Sequence, residues 1–173
     1  MRRTRLREFQ TQLADRMQAA RDSTQTRANH LGVMIGDMHC LLDLQEASEI
    51  ISVGAITAVP LTQDWYLGLS NIRGNLFSVI DFARFQGQAP TAITADCRII
   101  AFAPALSFNS ALLVSRVFGL RNIAEMNPEV SGATLPERAG WIAQRYCDAE
   151  SQVWTQFKLS LIVQDPRFLH VGL

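Results

Sequence analysis

The sequence predicts a mainly β protein built as a pair of small barrel-like lobes, and three observations carry that expectation. Short apolar runs recur along the chain at hairpin spacing, and turn-forming pairs such as Gly36-Asp37 and Gly74-Asn75 stand between them. Two stretches, LFSVIDFARF at 76–85 and VWTQFKLSLI at 153–162, each read as a strand running into a short helix, a parallel that suggests pseudo-duplication.

In chain order, residues 5–21 place Leu6, Phe9, Leu13, Met17 and Ala20 at steps of three and four, one stripe of an amphipathic helix. Seven arginines against Glu8, Asp15 and Asp22 give residues 1–29 a local charge of +4. The acids and the direct continuation into the fold argue against a transit peptide, so the helix either packs on its own domain or offers a contact surface. Residues 22–29 are polar and read as a linker. The expected organisation is therefore a helix and linker at 1–29 and a domain at 30–173. Its lobes fall at roughly 30–87 and 97–157, and the C-terminal segment closes the fold.

Residues 31–35 and 38–44 flank Gly36-Asp37 as a hairpin. Residues 45–49 read as one helical turn, and 50–53 and 55–59 as short strands separated by Gly54, the second ended by Pro60 because proline cannot donate to a ladder. Asp64 is placed to cap a short helix carrying Trp65, Tyr66 and Leu69. Residues 69–73 and 75–82 form a central hairpin turning at Gly74-Asn75. In its second arm Leu76, Ser78 and Ile80 share one face and Phe77, Val79 and Asp81 the other. Neither face is wholly polar, which implies burial on both sides or one side offered to a partner.

Asp81 caps a helix through Phe85 that Gly87 closes, and residues 88–96 cross to the second half. There, strands are expected at 97–103, 112–118, 141–146 and 153–157, with a turn-rich interval at 127–140 and a helix from Lys158.

The formal net charge is zero over 173 residues, so no overall basic field points to nucleic acid. Cys40, Cys97 and Cys147 are odd in number and far apart, neither a disulfide framework nor a metal spacing. The longest uncharged run, 99–115, carries Pro104, Ser107, Asn109 and Ser110 and is too polar to span a bilayer. No signal-peptide h-region is visible, and a cytoplasmic protein is the expectation. His30, His39 and His170 lack metal spacing, and no GxSxG, P-loop or HExxH motif occurs. Asp43, Glu46 and Glu49 fit solvated or pairing roles better than acid/base ones. Neither an enzyme nor a cofactor is expected.

Glu49-Ile50-Ile51, then 56–60 (ITAVP), 68–74 (GLSNIRG) and Val79-Ile80-Asp81 resemble the core signature of the CheW family of chemotaxis coupling proteins. The fuller pattern, from LREFQTQLADR at the front to WTQFKLSLIVQDPRFL at the end, is most similar to the PilI branch, which serves the chemosensory system of type IV pilus twitching motility. The resemblance implies two packed five-stranded barrels. It also implies a non-enzymatic adaptor joining the cytoplasmic tip of a methyl-accepting chemoreceptor to a CheA-type histidine kinase, recruited to membrane receptor arrays without inserting. Where the family shows Val-Asp-x-Val, this chain has Val114-Ser115-Arg116-Val117, so that acid is missing here.

The resemblance further implies that Glu49 and Arg73 interact and shape the surface used for partner contacts. A guanidinium on a mostly apolar hairpin needs an anion, and two parallel hydrogen bonds to a carboxylate would supply it. Around the pair, Ile50, Ile56, Leu69 and Ile72 are candidates for an apolar groove, and Trp65, if exposed, for an anchor. Asn71, Gly74 and Asp81 are expected to serve turns. The alternatives are a small-ligand barrel with a metabolite between the lobes, a flagellar rather than pilus adaptor, and a structural subunit of the pilus machine.

Overall fold

The computed structural model describes residues 29–129 and 140–173. The helix expected at 5–21 and most of the interval 127–140 lie outside the described residues.

The first two strands, β1 (His30–Ile35) and β2 (Met38–Asp43), form the expected hairpin, with Gly36 at φ +59° in its turn. The chain then moves to another sheet for β3 (Ala47–Ser52), β4 (Tyr66–Ile72), β5 (Asn75–Asp81), β6 (Arg98–Phe102) and β7 (Ser110–Val114). It returns to the first for β8 (Arg116–Arg121), β9 (Asn127–Pro128), β10 (Ile142–Cys147) and β11 (Val153–Phe157). The resulting orders are β8-β1-β2-β11-β10-β9 in a six-stranded sheet and β3-β6-β7-β5-β4 in a five-stranded one. Each sheet has one parallel pair, β2 with β11 and β5 with β7. In each pair one strand runs straight into a helix: β5 into α1 (Phe82–Phe85) and β11 into α2 (Leu159–Ile162). These are the two strand-to-helix stretches whose parallel the sequence shows.

The strands are not divided into contiguous lobes at 30–87 and 97–157, as the sequence reading has it. The first hairpin belongs with the C-terminal strands, because β2 pairs with β11 at Cys40–Thr155 and Leu42–Phe157.

Side-chain alternation produces three apolar layers. On β6, Ile99 and Ala101 face the inside of the five-stranded lobe with Val79, Ala111 and Leu113. Ile100 and Phe102, one residue out of phase, join a core that draws on both sheets through Leu31, Val33, Cys40, Leu42 and Phe157. Leu41, Met126 and Trp154 fill the six-stranded lobe. Strands buried on both faces read as continuous apolar runs, which is why the central segments show no polar face.

The five-stranded sheet curls until its edges meet. Beyond β3 the chain crosses to β4, where Thr57 and Leu69 exchange two backbone hydrogen bonds of 2.8 and 2.9 Å and Ser70 Oγ donates to Ala55 O at 3.0 Å. The strand expected at 55–59 is thus a single bridge. Gly68, at φ +132°, permits the approach, since a Cβ there would collide with the Thr57 carbonyl.

Other local expectations change. Residues 45–49 do not form a helical turn: Ala47 already pairs with Phe102. Asp64 caps no helix, because Tyr66 begins β4; its carboxylate instead accepts from Arg84 Nε at 2.8 Å. The run 112–118 is two strands in different sheets. Ser115 stands at the break between them, its backbone N and Oγ both donating to Met34 O, at 3.0 and 3.1 Å. Asp81 does cap α1, accepting from Arg84 N, and Gly87 follows the helix at φ +85°.

Candidate functional site

The central hairpin turns one residue earlier than its Gly-Asn pair suggests. Ile72 pairs with Asn75, leaving Arg73 and Gly74 as the two turn residues, with φ of +51° and +85°. Two consecutive positive values are what a two-residue hairpin loop requires to match strand twist. Glycine adopts them freely, whereas an L-residue such as arginine is held there at a cost of about 1 kcal/mol. Asn71 Oδ1 accepts from Gly74 N at 2.8 Å and pins the tip.

That strained backbone places Arg73 beside a carboxylate from the opposite edge of the sheet. Glu49 lies on β3, just past a register shift between Ala47 and Glu49, where Ser48 Oγ donates to Phe102 O at 3.1 Å. Arg73 Nε and Glu49 Oε2 are 3.0 Å apart. The contact is a single-point ion pair rather than the two parallel hydrogen bonds expected. Glu49 Oε2 is enclosed and has no aligned hydrogen-bond donor, while the Arg73 side chain is 79% exposed. The pair therefore ties the two edges, β3 and β4–β5, together at one end of the lobe and leaves a cation facing solvent.

The apolar candidates divide. Ile72 is buried inside the five-stranded lobe and cannot line an outer groove, while Ile56 is half-buried and packs against that interior. Trp65 is no exposed anchor: it is 8% exposed, stacked on Phe168 at 6.2 Å and edge-on to Phe85 at 5.1 Å, because its neighbour Tyr66 starts a strand rather than a helix. Ile50 remains available at 46% exposure, and Leu69 is half-buried. The residue missed is Leu76. It stands opposite Asn71, is 59% exposed, and lies two residues past the turn. Its position on the face shared with Ser78 and Ile80 was readable, but not that this face emerges from the core at the hairpin's outer end. The tip thus presents Asn71, Arg73 and Leu76, with Ile50 exposed on the far edge strand, β3.

A depression of about 540 Å³ lies against α3 (Pro166–Leu169) and is lined by Gln63, Trp65, Phe85, Pro166, Arg167 and His170. Arg167 lies over the rings of Phe85 and Trp141, 5.3 Å from each, and its Nη2 is 2.9 Å from Asp165 Oδ2. Burial pushes the Asp165 carboxyl up, but the hydrogen bonds and charge of Arg167 outweigh it and hold the group below the ordinary carboxylate range. These groups satisfy one another and close the C-terminal segment onto the domain.

Among the described residues no group of three or more His, Cys, Asp or Glu is placed to hold a metal, and no helix is long and apolar enough to cross a membrane. The inside of the five-stranded lobe is filled by side chains, with Ile72, Val79, Ile99 and Leu113 each under 5% exposed and half-buried apolar residues such as Ile56 packed against them.

Comparison with known proteins agrees with this architecture. The chain is 23% identical over 148 residues to Protein PilI of Pseudomonas aeruginosa, across 83% of this chain and 79% of that protein. The crystal structure of the scaffolding protein TtCheW from Thermoanaerobacter tengcongensis superposes with a TM-score of 0.62 at 20% identity, covering 75% of this chain and 87% of that one. Residues 29–166 match the family model for the CheW-like domain, and with that match spanning both sheets the chain belongs to the CheW-like domain family.

Proposed function

We propose that the protein is a non-enzymatic adaptor that couples the cytoplasmic tip of a methyl-accepting chemoreceptor to a CheA-type histidine kinase. We place it in the chemosensory system that controls type IV pilus twitching motility. Family membership supports the coupling role, and the similarity to PilI supports the pilus system. The observation that carries the reading to residues is the hairpin tip. A strained arginine tied to Glu49 leaves a cation in solvent beside exposed Leu76, a small mixed surface of the kind that interfaces desolvate at their centre. Such a surface binds without turnover, and several modest contacts become firm when repeated in an array.

The test is capture of partners from native extract by the tagged full chain, wild type beside Arg73→Ala and Leu76→Ser, with circular dichroism as the folding control. The Arg73 side of the ion pair is 79% exposed and solvent-screened, so the pair contributes only about 0–1 kcal/mol and Arg73→Ala should stay folded. The expected result is co-elution of a receptor and a CheA-type kinase with wild type, and loss of at least one of them from each folded variant. Absence of both from the wild-type eluate would sink the adaptor reading. Co-elution of a flagellar kinase in place of the pilus one would move the protein to the other system.

A further inference from the structure

Strand β3 breaks its own alternation one residue before Glu49. Ala47 pairs with Phe102 and Glu49 with Ala101, so Ser48 is an extra residue with no partner on β6, a bulge. Residues directly opposite one another share a face of the sheet. Ala47 therefore lies with Phe102 in the core between the sheets, and Glu49 with Ala101 on the inner face of the five-stranded lobe, where Ile51 also packs. The Ser48 hydroxyl is placed at the break, its Oγ 3.1 Å from Phe102 O and 3.3 Å from Ala101 O, donating to the two carbonyls that flank it.

A regular ladder through the same residues would give the opposite arrangement. With Ser48 paired to Ala101, Glu49 would move opposite Ile100 and Ile50 opposite Ile99, because a one-residue slip carries each side chain to the other face. Ile50 would then turn into the lobe and the carboxylate would leave it. Burial alone favours that register. The bulge instead leaves Ile50 46% exposed and encloses Glu49 Oε2 without an aligned donor, 3.0 Å from Arg73 Nε. What it secures is the ion pair that ties β3 to the hairpin tip, with an isoleucine left outside on the same strand. Bulges recur where a side chain has to be re-aimed at a functional surface.

We propose that Ser48 is a positioning residue for the partner-binding surface: its hydroxyl holds the bulge, and the bulge presents Glu49 to Arg73 and Ile50 to solvent. The role rests on the adaptor reading for what the surface binds; the link from Ser48 to the ion pair does not. Ser48 is itself exposed, so substitutions there leave the core intact. Threonine keeps the hydroxyl, whereas valine, close to it in shape, lacks it and favours a regular strand.

Two readouts on the full chain test it, with wild type beside Ser48→Thr and Ser48→Val. The first is the Arg73 Nε–H resonance in a nitrogen-resolved proton spectrum, with Glu49→Gln as the baseline for a broken pair. Its exchange with water should be about fivefold slower than that baseline in wild type and Ser48→Thr, and should match the baseline in Ser48→Val. The second is capture of the receptor and the CheA-type kinase from native extract, which should fall at least about fivefold for Ser48→Val and stay within about twofold for Ser48→Thr. Ser48→Ala, smaller and equally without a hydroxyl, should follow Ser48→Val, so the result stands even if valine disturbs the strand. A wild-type Arg73 signal in both hydroxyl-free variants overturns the proposal, as does its equal loss in Ser48→Thr. If wild type captures receptor and kinase and the hydroxyl-free variants capture them equally well, only the role of Ser48 fails. If wild type captures neither, the adaptor reading fails and this role falls with it.

Discussion

Gly68 is fixed by a carbonyl. At φ +132° its backbone occupies a region that L-residues rarely enter, and a side chain would also meet Thr57 O across the bridge that closes the lobe. Gly68→Ala should therefore lower unfolding stability by about 2–3 kcal/mol, read as a shift in urea midpoint. Gly74, also at positive φ but with open space around its Cα, should lose less on the same change.

His30 makes a separate prediction. It is 2% exposed, with Nδ1 2.6 Å from Asn29 Oδ1 and Nε2 2.9 Å from Gln156 Nε2, a partner set suited to the neutral ring that donates from Nδ1 and accepts at Nε2. Burial lowers its pKa below the ordinary 6.5, and the nearby Asp43 charge only partly opposes this. The unfolded chain thus binds the proton more readily than the folded one. Stability is full above pH 6.5 and falls as pH drops from there toward the folded value. Urea midpoints measured from pH 7.5 down to 5 should decline for wild type and decline less steeply for His30→Gln. Equal slopes would show that His30 is not the group responsible.

At the scale of elements, α1 is a single turn that cannot persist on propensity alone. Asp81 holds it and the following crossing together. One oxygen caps Arg84 N at 3.3 Å and accepts from Thr91 Oγ1 at 2.8 Å, and the other accepts from Thr91 N at 2.7 Å. Asp81→Ala should cost about 2–3 kcal/mol, because it leaves buried donors unpaired, while Thr91→Val, which removes one of these bonds, should cost about 1 kcal/mol; thermal unfolding of both decides it.

Elements with local causes were legible in the sequence. Gly36 marks the first hairpin, and Asp81 and Gly87 bracket α1. Elements with distant causes were not. Trp65, Tyr66 and Leu69 fit one helical turn by spacing, yet β4 is a strand because β5 and Thr57 hydrogen-bond to it. Likewise 112–118 reads as one apolar run, and only the partners of β7 and β8 show that it divides at Ser115. The same limit applies to the site. Glu49 and Arg73 could be paired through the family resemblance, but the burial of Trp65 and the exposure of Leu76 depend on which faces the sheets cover.

For the whole molecule, the core shared by both sheets makes two lobes one cooperative unit. Phe157 and Phe82 meet there edge-on at 5.6 Å, one from each half of the chain, and both are fully buried. Phe157→Ala should cost about 3–5 kcal/mol and still give a single transition, with far-ultraviolet dichroism and tryptophan fluorescence coinciding. Trp154 reports from inside the six-stranded lobe and Trp65 from the shared core, so separate melting of the lobes would split the two signals.

The parallel pairing of β2 with β11 also bears on how the protein is made. During synthesis every strand of the five-stranded sheet has left the ribosome once Val114 is out, so that sheet has all its parts early. The hairpin of β1 and β2 emerges first of all, yet Cys40 and Leu42 must wait for Thr155 and Phe157 before that edge of β2 is covered. The nascent chain thus carries an open, apolar strand edge for most of its translation, and the earliest strands to be made are among the last to be completed.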